Sequence, residues 1–303
     1  MTENKIDKSS LLQGEPQNGT DDVLLKAAEK LSANQTNNRR FYCDALDDDD
    51  VNQVVTDVAP HVVTLIGFIN FGKSTFVSSL YHHLMVNGSI GDYTFYDSDT
   101  YSGFERRAHI RNAKLSPKTR SLRTRESEGH FLSLHLKKKE QHVELVLSDR
   151  SGETYGKDYI NDEALIRADK GLRSSKHLVF FIDASVLVNL SERLPFNGAF
   201  KKLLSRMSSA DIFDGHLTID IIFNKMDLIE EADQDEFSKQ SKKTLKNLEE
   251  EAKQKINKIF TISSFKVNDN RELEKVFEYL VNCCDCKKTC LSGIDWVSKM
   301  LNS

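Results

Sequence analysis

The sequence predicts an α/β fold: a mostly parallel six-stranded sheet with one antiparallel edge strand and helices on both faces. Three patterns carry that prediction. From about His61 onward, short β-branched runs alternate with longer stretches of helical periodicity. Most of these runs are almost continuously apolar, as strands covered on both faces must be. Phe131–Leu136 instead alternates apolar and polar residues, and a short Lys-Lys-Lys-Glu-Gln turn joins it to Val143–Leu147, the pattern of an antiparallel hairpin at an edge.

Taken in order, residues 1 to about 20 are polar and aperiodic, a composition that cannot offset the entropy of ordering. Asp21–Leu31 reads as a short amphipathic helix with its acids at the favourable amino end. Polar residues through Arg40 and the run Asp47–Asp50 read as solvated linker, so that residues 1–57 form a mostly disordered extension. The domain proper is expected over 58–282. Its strands are Val62–Ile66, Phe131–Leu136, Val143–Leu147, Leu178–Ile182, Leu217–Phe223 and Ile259–Ile262. Its helices are Thr75–Val86, Asp162–Arg173, Phe200–Met207, Asp235–Lys255 and Glu272–Cys283, with residues 283–303 a helical extension. There is no internal repeat.

At 303 residues and 39% hydrophobic content the chain can bury a sizeable core. A net charge of −4 gives no global reason to expect a nucleic-acid partner. No apolar run is long enough for a membrane span, and the polar amino terminus lacks the apolar stretch of a signal peptide. The expected compartment is therefore a reducing cytoplasm, with which five cysteines are compatible.

The first motif is Gly67-Phe-Ile-Asn-Phe-Gly72-Lys73-Ser74, placed between the run VVTLI and a helical stretch. The pattern alone arises by chance in unrelated chains; a strand before it and a helix after it make it a phosphate-binding loop. Its glycines let backbone wrap a phosphate, and amides at the helix start face the anion, so Asn70, Gly72, Lys73, Ser74 and Thr75 form the cradle. Lys73 reaches β- and γ-phosphate oxygens, and the Ser74 hydroxyl ligates Mg²⁺. Asp149-Arg150-Ser151-Gly152 ends the run VELVL. Asp149 sits where an acid supports Mg²⁺, and the Gly152 amide can meet a γ-phosphate.

Ile221-Ile-Phe-Asn224-Lys225-Met226-Asp227 selects the base. The Asp227 carboxylate can accept from N1–H and the 2-amino group of guanine, whereas adenine has no matching pair of donors. Choosing the wrong base strands a buried acid, a penalty on the order of 10⁴-fold. Asn224 holds the loop and the base N7, and the Lys225 stem covers a ring face. Thr261-Ile-Ser263-Ser264-Phe265 closes the pocket, with the Ser264 amide facing guanine O6 and Phe265 stacking.

These motifs, in this order and spacing, resemble the P-loop GTPases of the Ras-like superfamily over residues 58–282. Gly67–Thr75, Tyr96-Asp-Ser-Asp-Thr100 with Phe104 and Arg106, and Asp149–Glu153 are most similar to the bacterial double-GTPase families of conflict and defence gene clusters. The resemblance implies a P-loop NTPase fold, GTP/GDP and Mg²⁺ as ligands, and a switch acting with an effector or partner protein. Two departures qualify it. Glu153 stands where many Ras-like enzymes carry the glutamine that orients water, which implies slow or partner-dependent hydrolysis. Residues 88–128 form a long insertion containing Arg106, Arg107, Arg111, Lys114, Lys118, Arg120, Arg123 and Arg125.

The family's switch threonine for Mg²⁺ falls at Thr124 by spacing, with Thr119 the rival. Arg120, Arg123 or Arg150 could neutralise transition-state charge in cis; alternatively the basic residues form a solvated face, Arg150 a surface salt bridge. A third reading is a docking surface for an acidic partner or nucleic acid, and it ranks last because no aromatics are interleaved. Cys283, Cys286 and Cys290 on one continuous helix would span about 10 Å at ~1.5 Å per residue, too far for one zinc with ~2.3 Å bonds. Reduced thiols therefore lead zinc, redox chemistry or lipidation for these and Cys284, and Trp296 reads as a packing anchor. Two functions follow: a GTP-hydrolysing switch with Lys73, Glu153 and Thr124 at its catalytic centre, or an assembly module that binds GTP and hydrolyses little. Asn224, Lys225 and Asp227 oppose an ATPase.

Overall fold

The longest buried runs of the sequence become the centre of the sheet. In the computed structural model, which describes residues 43–48, 60–110, 129–213, 217–264 and 271–285, β1 (His61–Ile66) is flanked by β5 (Gln141–Ser148) and β6 (His177–Asp183), both parallel to it. Further parallel pairing adds β7 (Thr218–Asn224) and β8 (Lys258–Thr261) beyond β6. On the other side, β4 (Phe131–Lys138), β3 (Tyr93–Asp97) and β2 (Ser89–Ile90) continue by antiparallel pairing. The result is an eight-stranded sheet in the order β2-β3-β4-β5-β1-β6-β7-β8.

That corrects the expected six strands and the single antiparallel edge. The two additional strands lie in the insertion, and β4 is an interior strand rather than an edge. The reason is local. β2 has only two residues, and most of β3 is exposed, so neither shows the alternation of a half-buried strand. Their turn, Gly91-Asp92 with Gly91 at φ 53, joins the directly paired Ile90 and Tyr93 and is the one sequence signal for that hairpin.

Both faces are covered. Phe181 of β6 packs edge-on against Phe76 of α1 (Lys73–Asn87), and Phe76 against Phe277 of the carboxyl-terminal helix Arg271–Asp285, at ring separations of 5.2 and 5.0 Å. Phe180, one residue earlier and therefore on the opposite face, meets Phe200 at 6.1 Å. Phe200 lies in the helix Leu190–Ser209, whose start precedes the expected Phe200–Met207 because Pro195 interrupts the helical pattern while the Asn189 side chain caps it. The expected helix Asp162–Arg173 is split into Glu163–Ala168 and Lys170–Ser174, with the Asp169 carboxylate accepting from Leu172 N–H at 2.9 Å as a new cap. Between α1 and β4, α2 (Tyr101–Ile110) carries the first basic residues of the insertion.

Within the region read as an extension, Cys43–Asp48 contributes a bridge from Leu46 to Phe131 and buries Ala45 in the core. The Asp21–Leu31 helix, Trp296, Cys286 and Cys290 lie outside the described residues; Cys283 and Cys284 are half-buried near the end of the last helix. No helix among the described residues is long and apolar enough to cross a membrane.

Candidate functional site

The chemistry-bearing segments end neighbouring strands on one side of the sheet: Gly67–Ser74 follows β1, Asp149–Gly152 follows β5, Asp183 ends β6, Asn224–Asp227 follows β7 and Ile262–Ser264 follows β8. The order reverses at β1, since the chain leaves it for the antiparallel wing, returns at β5 and then crosses to β6. A crevice at such a reversal, outside the carboxyl ends of the strands, is where α/β sheets hold ligands.

The loop after β1 is shaped by close approaches. A Cβ on Gly67 would stand 2.8 Å from the Phe181 carbonyl oxygen, and one on Gly72 would stand 2.0 Å from Asn224 Nδ2. Asn70 (φ 64) and Gly72 (φ 93) are left-handed, which turns the backbone into the start of α1. No side chain caps that helix start, leaving its amino end, with Ser74 and Thr75 in the first turn, to an anion. The Lys73 ammonium donates to the Gly67 carbonyl at 2.6 Å and more weakly to Phe68 O at 3.4 Å. Burial pushes its pKa down to about 8, and the nearby Asp149 charge offsets part of that shift.

Asp149 is fully buried, and its Oδ2 accepts from Arg107 Nε at 2.8 Å. Its Oδ1 is buried with no hydrogen-bond partner. Gly152 lies so close to the first loop that a Cβ would be 2.5 Å from both the Ile69 nitrogen and the Phe68 carbonyl carbon. Glu153 follows, its carboxylate 3.3 Å from Lys157 Nζ one turn on. The helix there is a π-turn over Thr154–Asp158, a rare geometry that is frequent at functional sites.

At the other end, Asn224 is buried and fully engaged: Nδ2 donates to Phe71 O and Oδ1 accepts from Ser264 N–H, both at 3.0 Å. The Ser264 amide, expected to face a base, is thus committed to Asn224. Lys225 is left-handed (φ 62), and its ammonium pairs with Asp183. Asp227 is exposed, and its N–H donates to Ser263 Oγ at 3.0 Å, joining the two base loops.

The structure therefore brings together Asn70, Gly72, Lys73, Ser74, Thr75, Asp149, Gly152 and Glu153 around the β1 loop, and Asn224, Lys225, Asp227, Ser263 and Ser264 beyond it. Thr124, Thr119, Arg111, Lys114, Lys118, Arg120, Arg123, Arg125 and Phe265 lie outside the described residues. Arg150 points elsewhere: it pairs with Asp169 at 2.7 Å and Asp48 at 2.9 Å, beside a cavity of about 270 Å³. Sequence reasoning missed two residues. Asp183 was visible as an acid ending a strand, as Asp149 does; Arg107 stood among other basic residues with nothing to mark its partner.

A model of the double-GTPase 2 family matches residues 61–280, and the chain belongs to that family. No curated protein sequence matches it. Among solved structures it is similar to a bacterial selenocysteine-specific elongation factor, EF-Sec, with 12% identity and TM-score 0.40 over 74% of this chain and 29% of that one. It is also similar to translation elongation factor SelB from Methanococcus maripaludis in complex with the GTP analogue GPPNHP, with 14% identity and TM-score 0.41 over 78% and 37%. The chain thus spans well under half the length of those proteins.

Proposed function

We propose that this double-GTPase 2 family member binds GTP and GDP across the carboxyl ends of β1, β5, β7 and β8, and hydrolyses GTP to GDP and phosphate as a conformational switch. The observation that carries the reading is Asn224. One buried side chain ties the phosphate loop, at Phe71 O, to the base loop, at Ser264 N–H, beside the turn that bears Asp227. Two ends of one ligand are thereby held in a single frame.

Within that frame the amides of Asn70–Thr75 receive the phosphates at the start of α1. Lys73 exchanges its carbonyl contacts for β- and γ-phosphate oxygens, which return the charge that burial disfavours. Asp227, steadied by Ser263, accepts from the guanine edge, and Lys225, anchored by Asp183, covers a ring face. A magnesium ion fits the donors present, because Asp149 Oδ1 is a buried carboxylate oxygen with no hydrogen-bond partner and the Ser74 hydroxyl lies in the first turn of α1. Ser74, Asp149 and Thr124 would hold it, and it would supply positive charge to offset that of the phosphates. Gly152, pressed against Phe68–Ile69, would register the γ-phosphate through its amide, and the π-turn that follows would carry the change outward. Glu153 can position water but adds charge beside the γ-phosphate, so hydrolysis is slow or partner-stimulated.

Glu153 also favours the second reading, an assembly module that binds GTP and scarcely hydrolyses it. Calorimetry with GDP and ADP is the first test: micromolar or tighter binding of GDP alone is expected, and no affinity for GDP or GTP overturns both readings. Single-turnover phosphate release that Lys73→Ala abolishes separates switch from module. Asp227→Asn should move preference from guanine toward xanthine nucleotides.

A further inference from the structure

Arg107 holds three acceptors at once. Its Nε donates to Asp149 Oδ2 at 2.8 Å, Nη1 to Gly103 O at 3.1 Å and Nη2 to Gly129 O at 3.2 Å. The side chain is only 3% exposed and the carboxylate it meets is fully buried, so each charge depends on the other. Gly103 lies one turn back on Arg107's own helix, α2, so that contact holds the guanidinium itself, while Gly129 joins it to the approach to β4. The same region is tied a second time by the Asp149 N–H, which donates to His130 O at 2.8 Å.

The arrangement has the form of a brace rather than a competitor for the metal's carboxylate. A competitor would have to give up three hydrogen bonds and take its buried charge elsewhere each time a metal arrived. A brace fixes one oxygen and leaves the other, Oδ1, for its function. The guanidinium suits that role because its donors are coplanar and fixed, whereas an ammonium is a point charge that cannot bridge the same acceptors.

We propose that Arg107 is a positioning residue for magnesium: it locks Asp149 through Oδ2, presents Oδ1 to the metal's coordination shell, and ties that carboxylate to the backbone at Gly129. The inference rests on the GTP-binding reading above. It predicts that Arg107 acts on the metal-linked part of nucleotide affinity and not on the part that survives without metal.

The test uses the full chain and GDP, with affinity measured in EDTA and across a magnesium titration. In Arg107→Gln and Arg107→Ala the magnesium concentration that half-restores tight GDP binding should rise about 10–100-fold, the usual cost of losing a partner behind a metal ligand, while affinity in EDTA stays that of the wild type. The Mn²⁺·GDP electron paramagnetic resonance spectrum should broaden or split differently in the same variants. Arg107→Lys, which keeps a charge in the buried position, guards against simple loss of folding. It should keep most of the melting temperature that Arg107→Ala loses, yet leave the magnesium midpoint shifted. A midpoint that does not move overturns the proposal, as does one that falls, which would make the arginine a competitor. Full restoration by lysine would also overturn it, reducing the role to charge balance. A wild-type chain that binds no GDP overturns the functional reading and this inference together; normal wild-type binding with an unmoved midpoint overturns only Arg107's role.

Discussion

At Lys73 two demands oppose each other: the ammonium must lie deep enough to meet phosphate and still keep its proton. Burial lowers its pKa to about 8, with Asp149 partly offsetting the shift. A bound phosphate raises it again, so the ligand prefers the protonated protein. Below the free protein's pKa the preference costs nothing; above it, each bound nucleotide must draw in a proton. GDP affinity is therefore expected to be flat up to about pH 8 and to fall toward tenfold per pH unit beyond it. Calorimetry near pH 8.5 in two buffers of different ionisation enthalpy should show proton uptake, and a flat profile through pH 9.5 would remove the argument. Gly72 makes a second case for single-residue control. Its φ of 93° and the 2.0 Å approach of Asn224 Nδ2 to an added Cβ leave alanine no relaxed position. Gly72→Ala should lower unfolding free energy by about 1–3 kcal/mol from the left-handed backbone alone, and displacing Asn224 should weaken GDP binding as well. Urea unfolding with parallel titration checks both, and a variant with wild-type stability would contradict the geometry.

Elements matter here through what their ends touch. β7 delivers Asn224 into a position where it accepts from Ser264 after β8 and donates to Phe71 after β1, so one side chain ties three loops together. Asn224→Ala leaves a buried carbonyl and a buried amide without partners, each worth about 1–3 kcal/mol. It should cost stability and GDP affinity together, whereas Asp227→Ala should cost guanine selectivity with stability unchanged, because Asp227 is exposed and anchors through its backbone. Equal stability losses in the two variants would refute that division. Much of this is legible in the sequence. The phosphate loop and the Asn-Lys-Met-Asp turn announce themselves because their residue types are dictated by a ligand common to many chains, and β1, β6 and β7 because strands buried on both faces are nearly all apolar. The hairpin β2–β3 was not legible, since a two-residue strand and a largely exposed one carry almost no periodicity. Nor was the Arg107–Asp149 pair, since a contact between residues 42 positions apart depends on where α2 lands and not on local pattern. Asp48 read as solvated linker by its neighbours, yet it meets Arg150 and lends its carbonyl to Lys170, partners that folding alone brings near.

Across the whole molecule the sheet separates chemistry from anchorage. Asp183 ends β6 at the ligand side, pairing with Lys225; His177 begins the same strand, about 20 Å away at ~3.3 Å per residue. His177 is fully buried, and its Nε2 meets Asp220 Oδ2 at 2.5 Å, while Asp220 Oδ1 accepts from Lys258 N–H at 2.8 Å. The carboxylate thus joins the amino-terminal portions of β6, β7 and β8, where no strand-end loop of the ligand side is present. Asp220→Ala takes the acceptor from the buried His177 ring and from Lys258 N–H, so it should lower stability by about 1–3 kcal/mol. Replacing both with leucine should recover part of that loss, since no imidazole is then left buried without its carboxylate, although Lys258 N–H still loses its acceptor. Because the pair touches none of the loops that hold the nucleotide, GDP affinity of the folded fraction should stay at the wild-type value in both variants. Urea unfolding measures the first quantity and calorimetry at a temperature where the variants remain folded measures the second. If affinity fell in step with stability, the two ends of the sheet would have to be energetically coupled through the strands, and the independence argued from their separation would be lost.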